Sequence, residues 1–130
     1  MRSLFLITAA VAVTLGAALA YADDMTMPAM TGDSNLGKVL TDNKKMTLYT
    51  FDKDQPGKSN CNGICADHWP PLMAAANAKP MGDWSIITRD DGTKQWAYKG
   101  KPLYGWDKDQ KPGDTTGDGV NNNVWHVAHP

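Results

Sequence analysis

The sequence predicts a mainly β fold: a small antiparallel sheet domain built from two pseudo-repeats, with one short helix or helical turn near Cys61 and Cys65. Three observations carry that expectation. All 14 acidic residues are Asp, and 12 Gly, 8 Pro and the many Asn supply turn chemistry rather than helix chemistry. Short apolar and aromatic runs alternate with turn residues along the chain. An eight-residue segment, Leu48-Tyr49-Thr50-Phe51-Asp52-Lys53-Asp54-Gln55, returns as Leu103-Tyr104-Gly105-Trp106-Asp107-Lys108-Asp109-Gln110, identical at six positions.

The elements follow in chain order. Arg2, the apolar run Leu4 to Ala20 and the small residues Ala20 and Ala22 read as a signal peptide over residues 1–22. Ala18-Leu19-Ala20 offers a second cleavage site. An exported, periplasmic or secreted protein is therefore expected, with no membrane span left after cleavage. Residues 23–35 hold little that could form a core and are expected to be a flexible lead-in, so that the domain runs over 36–130.

Within the domain, Lys38–Thr41 reads as a strand, Asp42-Asn43 as a turn and Met46–Phe51 as the next strand. The segment from Cys61 to Trp69 is the one candidate helix, which Pro70-Pro71 would stop. Trp84–Arg89, a turn at Asp90-Asp91-Gly92, and Lys94–Tyr98 read as a hairpin. Pro102–Trp106 and Val124–Val127 complete the set. The half-repeats span about 36–75 and 84–130, and Trp69 falls where Trp125 falls in the second copy. Each half would present an apolar face that the other covers.

The repeated pattern Tyr49-x-Phe51-x-x-Asp54 and Tyr104-x-Trp106-x-x-Asp109 resembles the bacterial secreted-repeat proteins with a Y-x4-D motif, often described as predicted lipoproteins. The stretch Cys61-x-Gly63-x-Cys65-Ala66-x-x-Trp69-Pro70-Pro71 and the ending Gly117-Asp118-Gly119…Trp125-His126 are similar to that family as well. The resemblance covers roughly residues 36–130 and implies no established activity. The leader lacks the family's lipid-accepting Cys, so a soluble product is expected.

Export sets the chemistry of the two cysteines, which would meet oxidising conditions and pair across a small ring. Two alternatives use the same residues. Cys61, Cys65 and His68 could hold Cu(I) or Zn, or cycle as a thiol–disulfide redox pair beside an imidazole. Met25, Met27 and Met30 form a thioether cluster that suits copper, to which His129 could add a ligand. Asp107, Asp109, Asp114 and Asp118 fail as an EF-hand loop, because Lys111 and Pro112 stand where a ligand and Gly are required; Asx-turn capping is the expectation instead. The tryptophans are expected to fill the core. If a minority were exposed together, Trp69, Trp84, Trp96 and Trp125 would be the candidates to line a groove for a glycan, quinone or peptide.

A formal charge of −1 gives no case for nucleic acid. No hydrolase elbow, zinc-protease helix or phosphate loop occurs, and Ser34, Ser59 and Ser85 sit in no nucleophile signature. The sequence thus points to a non-catalytic, cofactor-free monomeric module that binds an envelope protein or a small ligand, with copper binding and thiol–disulfide exchange as the alternatives.

Overall fold

The computed structural model describes residues 27–130; the segment expected to be a signal peptide, residues 1–22, and Met25 lie outside them. Seven strands and two short helical segments follow the chain: β1 Met30–Ser34, β2 Gly37–Thr41, β3 Tyr49–Phe51, α1 Ile64–His68, β4 Trp84–Thr88, β5 Lys94–Tyr98, β6 Lys101–Pro102, α2 Val120–Asn123 and β7 Trp125–Val127. All ladders are antiparallel: β1 with β2, β3 with β7, and β4-β5-β6. The mainly β expectation holds, as three small ribbons rather than one continuous sheet.

Among the described residues, paired structure is present before Leu36. Met30–Ser34, expected as part of a flexible lead-in, pair along their whole length with Gly37–Thr41. Their content is polar, so the backbone ladder rather than side-chain burial orders them, with Ala29 beneath as the first core residue. Met46–Phe51 is likewise shorter than expected. Lys45 takes a left-handed φ of 68°, Thr47 makes only an isolated bridge to Thr41, and regular pairing starts at Tyr49.

The halves repeat in three dimensions and interlace. Leu48 N–H donates to Leu40 O as Leu103 N–H donates to Trp96 O. Leu40 N–H donates to Ala128 O as Trp96 N–H donates to Leu72 O. These bonds show the crossing: the closing strand of the second half, β7, lies on the first half, and Pro70–Leu72 of the first half lie on the second. Tyr49 and Tyr104 exchange both backbone bonds (2.7 and 3.0 Å) at the centre of this pseudo-twofold arrangement. One apolar cluster gathers Leu40, Leu48, Trp84, Trp96 and Leu103; the other gathers Val39, Tyr49, Trp69, Tyr104, Trp125 and Val127. Neither half encloses a core without the other.

Candidate functional site

The repeated motif builds the interior rather than a surface. Tyr49 and Tyr104 are fully buried. Each hydroxyl donates across the pseudo-twofold to the last aspartate of the other copy: Tyr49 to Asp109 Oδ2 and Tyr104 to Asp54 Oδ2, both at 2.6 Å. Burial first, and then the neighbouring carboxylate, push both phenols well above their ordinary value. Asp54 is itself raised by burial, against the pull of the Asn60 N–H, the Tyr104 hydroxyl and the Arg89 charge. Each aspartate also ties its own loop, Asp54 to Asn60 N–H and Asp109 to Thr116 N–H and Oγ1. Motif residues Phe51 and Trp106 are half-buried and stack on Trp125 and Trp69 respectively.

Of the four tryptophans that could have lined an open groove, Trp69, Trp96 and Trp125 do not, and Trp84 only edges a shallow depression. Trp69, Trp84, Trp96 and Trp125 are all 8% exposed or less. With few aliphatic side chains available, the domain fills its centre with indoles.

Cys61 and Cys65 form a disulfide, so neither is a thiolate ligand. Cys61 is fully buried. His68 turns away from a soft-metal role: its Nδ1 lies 2.8 Å from Asp107 Oδ2. Met27 and Met30 are exposed, and Met27 faces a shallow depression shared with Met81, Trp84 and Tyr98. Asp114 takes the Gln110 and Lys111 N–H groups and Asp118 the Val127 N–H nine residues on; both satisfy backbone donors, but neither closes an Asx turn. Among the described residues no group of three or more His, Cys, Asp or Glu is placed to hold a metal ion.

One open feature is a cleft the sequence did not single out. One lobe, of about 320 Å³, is lined by Thr50, Asp52, Asp54, Pro56, Lys99 and Lys101. The adjoining lobe, of about 290 Å³, shares Thr50, Asp52, Lys99 and Lys101 and adds His126 and His129. The walls follow from the fold. β3 and β7 supply the floor, and the Lys99-Gly100 turn between β5 and β6 supplies the rim. Lys99 is held at a left-handed φ of 51°, a conformation that costs a lysine about 1 kcal/mol or more.

The charges in the cleft are unevenly matched. Asp52 Oδ2 is already engaged by His126 Nε2 at 2.8 Å, and Asp54 by Tyr104 and Asn60. His129 Nδ1 donates to Lys38 O at 2.7 Å. Yet the lysines found in salt bridges among the described residues are Lys38, Lys58 and Lys111, not Lys99 or Lys101. The cleft therefore holds Asp54 with both oxygens engaged and Asp52 with one, beside two lysines without a carboxylate partner.

One more residue escaped sequence reading. Arg89 is 5% exposed and meets no carboxylate. Its guanidinium donates to Ser59 Oγ (3.0 Å), Gln95 Oε1 (2.7 Å) and Cys61 O (2.6 Å), locking the disulfide turn onto β5. Nothing at the end of a β-strand distinguishes such an arginine from an exposed one until the fold is known.

Comparison with known families gives one match, in two copies: a family model described as a secreted repeat of unknown function covers residues 30–73 and 85–129. Both copies begin and end close to the structural halves, and the first starts at β1. Comparisons with curated proteins and with solved structures give no match. Among the described residues no helix is long and apolar enough to cross a membrane. With some two-thirds of its length inside the two matched repeats, the chain belongs to this family of secreted repeats.

Proposed function

We propose that the protein is a non-catalytic binding domain of an exported chain, and that it seats a ligand bearing anionic oxygens in the cleft between β3, β7 and the Lys99-Gly100 turn. The observation that carries this reading is the mismatch of partners. Asp52 and Asp54 are spoken for inside the protein, whereas Lys99 and Lys101 face the same space without a carboxylate. A lone ammonium at a surface is ordinary, but two on one rim, one of them 5.2 Å over the Tyr98 ring, above a floor where Asp54 and one oxygen of Asp52 are engaged, favour an acceptor from outside. The His126–Asp52 pair resembles half of a hydrolytic dyad. The hydroxyl nearest to it in the ladder is that of Thr50, the register partner of His126, and Thr50→Val should leave anion binding in the cleft intact if the site binds without turnover.

The test is a titration of isotopically labelled protein with inorganic phosphate and, separately, with acetate, followed by backbone amide shifts. Saturable shifts at Thr50, Lys99, Gly100 and Lys101 are expected with at least one anion, weakening as ionic strength rises. Replacing both lysines (Lys99→Ala, Lys101→Ala) should cost about tenfold or more in affinity, near 1.4 kcal/mol, without moving the thermal midpoint. Shifts that never saturate, or that are equal in the double variant, would overturn the assignment.

A further inference from the structure

Four aromatic rings run face to face through the middle of the molecule. Phe51 lies on Trp125 at 4.2 Å and 12°, Trp125 on Trp69 at 3.7 Å and 1°, and Trp69 on Trp106 at 3.9 Å and 25°. The central pair is buried and the outer two rings are half-buried, so the stack passes through the core and reaches solvent at its ends.

The stack is continuous where the other aromatic contacts in this cluster are edge-on. Ring quadrupoles favour offset or edge-to-face contacts over a parallel sandwich. The neighbouring pairs obey that preference: Tyr49 meets Trp69 at 80° and Tyr104 meets Trp125 at 88°. The tryptophans at 1° are stacked instead, the other arrangement that ring quadrupoles allow. What a parallel indole pair does offer is orbital overlap, which spreads a positive charge over two rings. Beside each indole stands a phenol whose proton already points at a carboxylate 2.6 Å away. That is the geometry in which a tyrosine gives up an electron and a proton together.

We propose that the stack relays one-electron oxidising equivalents from Trp106 at the surface to Tyr49 and Tyr104 in the core. The oxidant is of the oxyl-radical class. It takes one electron from Trp106 and leaves as its oxyanion. The Lys108 ammonium 5.9 Å over the Trp106 ring disfavours positive charge there, so the vacancy moves inward to Trp69 and Trp125. Tyr49 then supplies an electron to the indole pair while its phenolic proton passes from Oη to Asp109 Oδ2. The products are a neutral tyrosyl radical and a protonated Asp109; the net charge is unchanged. Tyr104 and Asp54 perform the same step on the other side. The exposed Met27, Met30 and Met73 would otherwise be among the side chains open to such an oxidant.

Flash-quench oxidation of the intact protein with a photoexcited ruthenium(II) polypyridyl complex and a cobalt(III) quencher tests this. Transient absorption should show an indole radical decaying into a tyrosyl radical, and electron spin resonance of protein carrying ring-deuterated tyrosine should confirm the latter. Trp106→Phe should slow tyrosyl formation about tenfold. Tyr98→Phe, which removes the half-buried tyrosine outside the stack, should leave the signal intact. Asp109→Asn combined with Tyr104→Phe should remove the tyrosyl signal and prolong that of the indole. If a variant loses its fold, the Tyr98→Phe result and the wild-type sequence of radicals still decide the matter. No tyrosyl radical in the wild type, formation unchanged by Trp106→Phe, or loss of the signal in Tyr98→Phe would each overturn the relay.

Discussion

Gly117 shows how tightly single positions are specified. A Cβ built there would lie 2.8 Å from Trp69 Cη2 and 3.0 Å from the Trp106 ring, and the Gly117 N–H donates to the Tyr49 hydroxyl at 3.2 Å. The obstacle is the indole stack itself, which cannot yield without disturbing Trp125 behind it. Gly117→Ala should therefore cost about 1–3 kcal/mol, the usual range for overpacking a filled core, read as a lowered denaturant midpoint with an unchanged slope. An unchanged midpoint would mean that the stack can shift to make room. At this scale the sequence was informative where residue types repeated: Tyr49, Phe51 and Asp54 announced themselves through Tyr104, Trp106 and Asp109. Their partners were not legible. That Tyr49 bonds Asp109 rather than Asp54 depends on how the halves cross, and no local spacing encodes that crossing. Lys99, Lys101 and Arg89 were missed for a related reason, since each gains meaning only from groups far away along the chain.

Among the elements, α1 cannot stand by itself. It has five residues, ending at His68, and no side-chain cap; a helix this short is unstable in water without tertiary support. Its support comes from the Cys61–Cys65 disulfide and from Trp69, whose N–H donates to Cys65 O at 2.9 Å. The chain-entropy account of so small a ring gives roughly 2 kcal/mol. Replacing both cysteines by alanine should lower unfolding free energy by about that amount, measured in urea, and leave the β ladders intact by amide exchange. A loss of all protection would show that the turn holds the fold as a whole. The elements most visible in sequence were those with local cues. Lys94–Tyr98 emerged at its predicted bounds because apolar residues and flanking turns mark it on both sides. The segment Val120–Asn123 gave no such cue. Asn121, Asn122 and Asn123 take φ of 57°, 61° and 66°, a left-handed turn that asparagine tolerates better than other side chains but that composition does not foretell.

For the whole molecule, the duplication was readable but the exchange of closing strands was not, because both a side-by-side and an interlaced pair of halves bury the same apolar residues. Interlacing concentrates the fold's dependence on two buried phenols. Both Tyr49 and Tyr104 have their titration pushed above the ordinary 10.0, chiefly by burial and then by the facing carboxylate. The folded protein therefore retains those protons where the unfolded chain releases them. Below pH 10 the two states bind equally many phenolic protons and the full stability is present. Above it, unfolding releases up to one proton per tyrosine, and stability falls by roughly 1.4 kcal/mol per pH unit for each, or about 2.7 kcal/mol for the pair. Unfolding midpoints in urea, measured at successive pH values from neutral to strongly alkaline, should thus be set by other groups up to pH 10 and then drop along that slope. Tyr104→Phe lowers stability at neutral pH by leaving Asp54 without its donor, yet its alkaline slope should be about half that of the wild type. A variant slope equal to the wild type's would mean that Tyr104 ionises inside the folded protein, and that its bond to Asp54 is not one of the two pins between the halves.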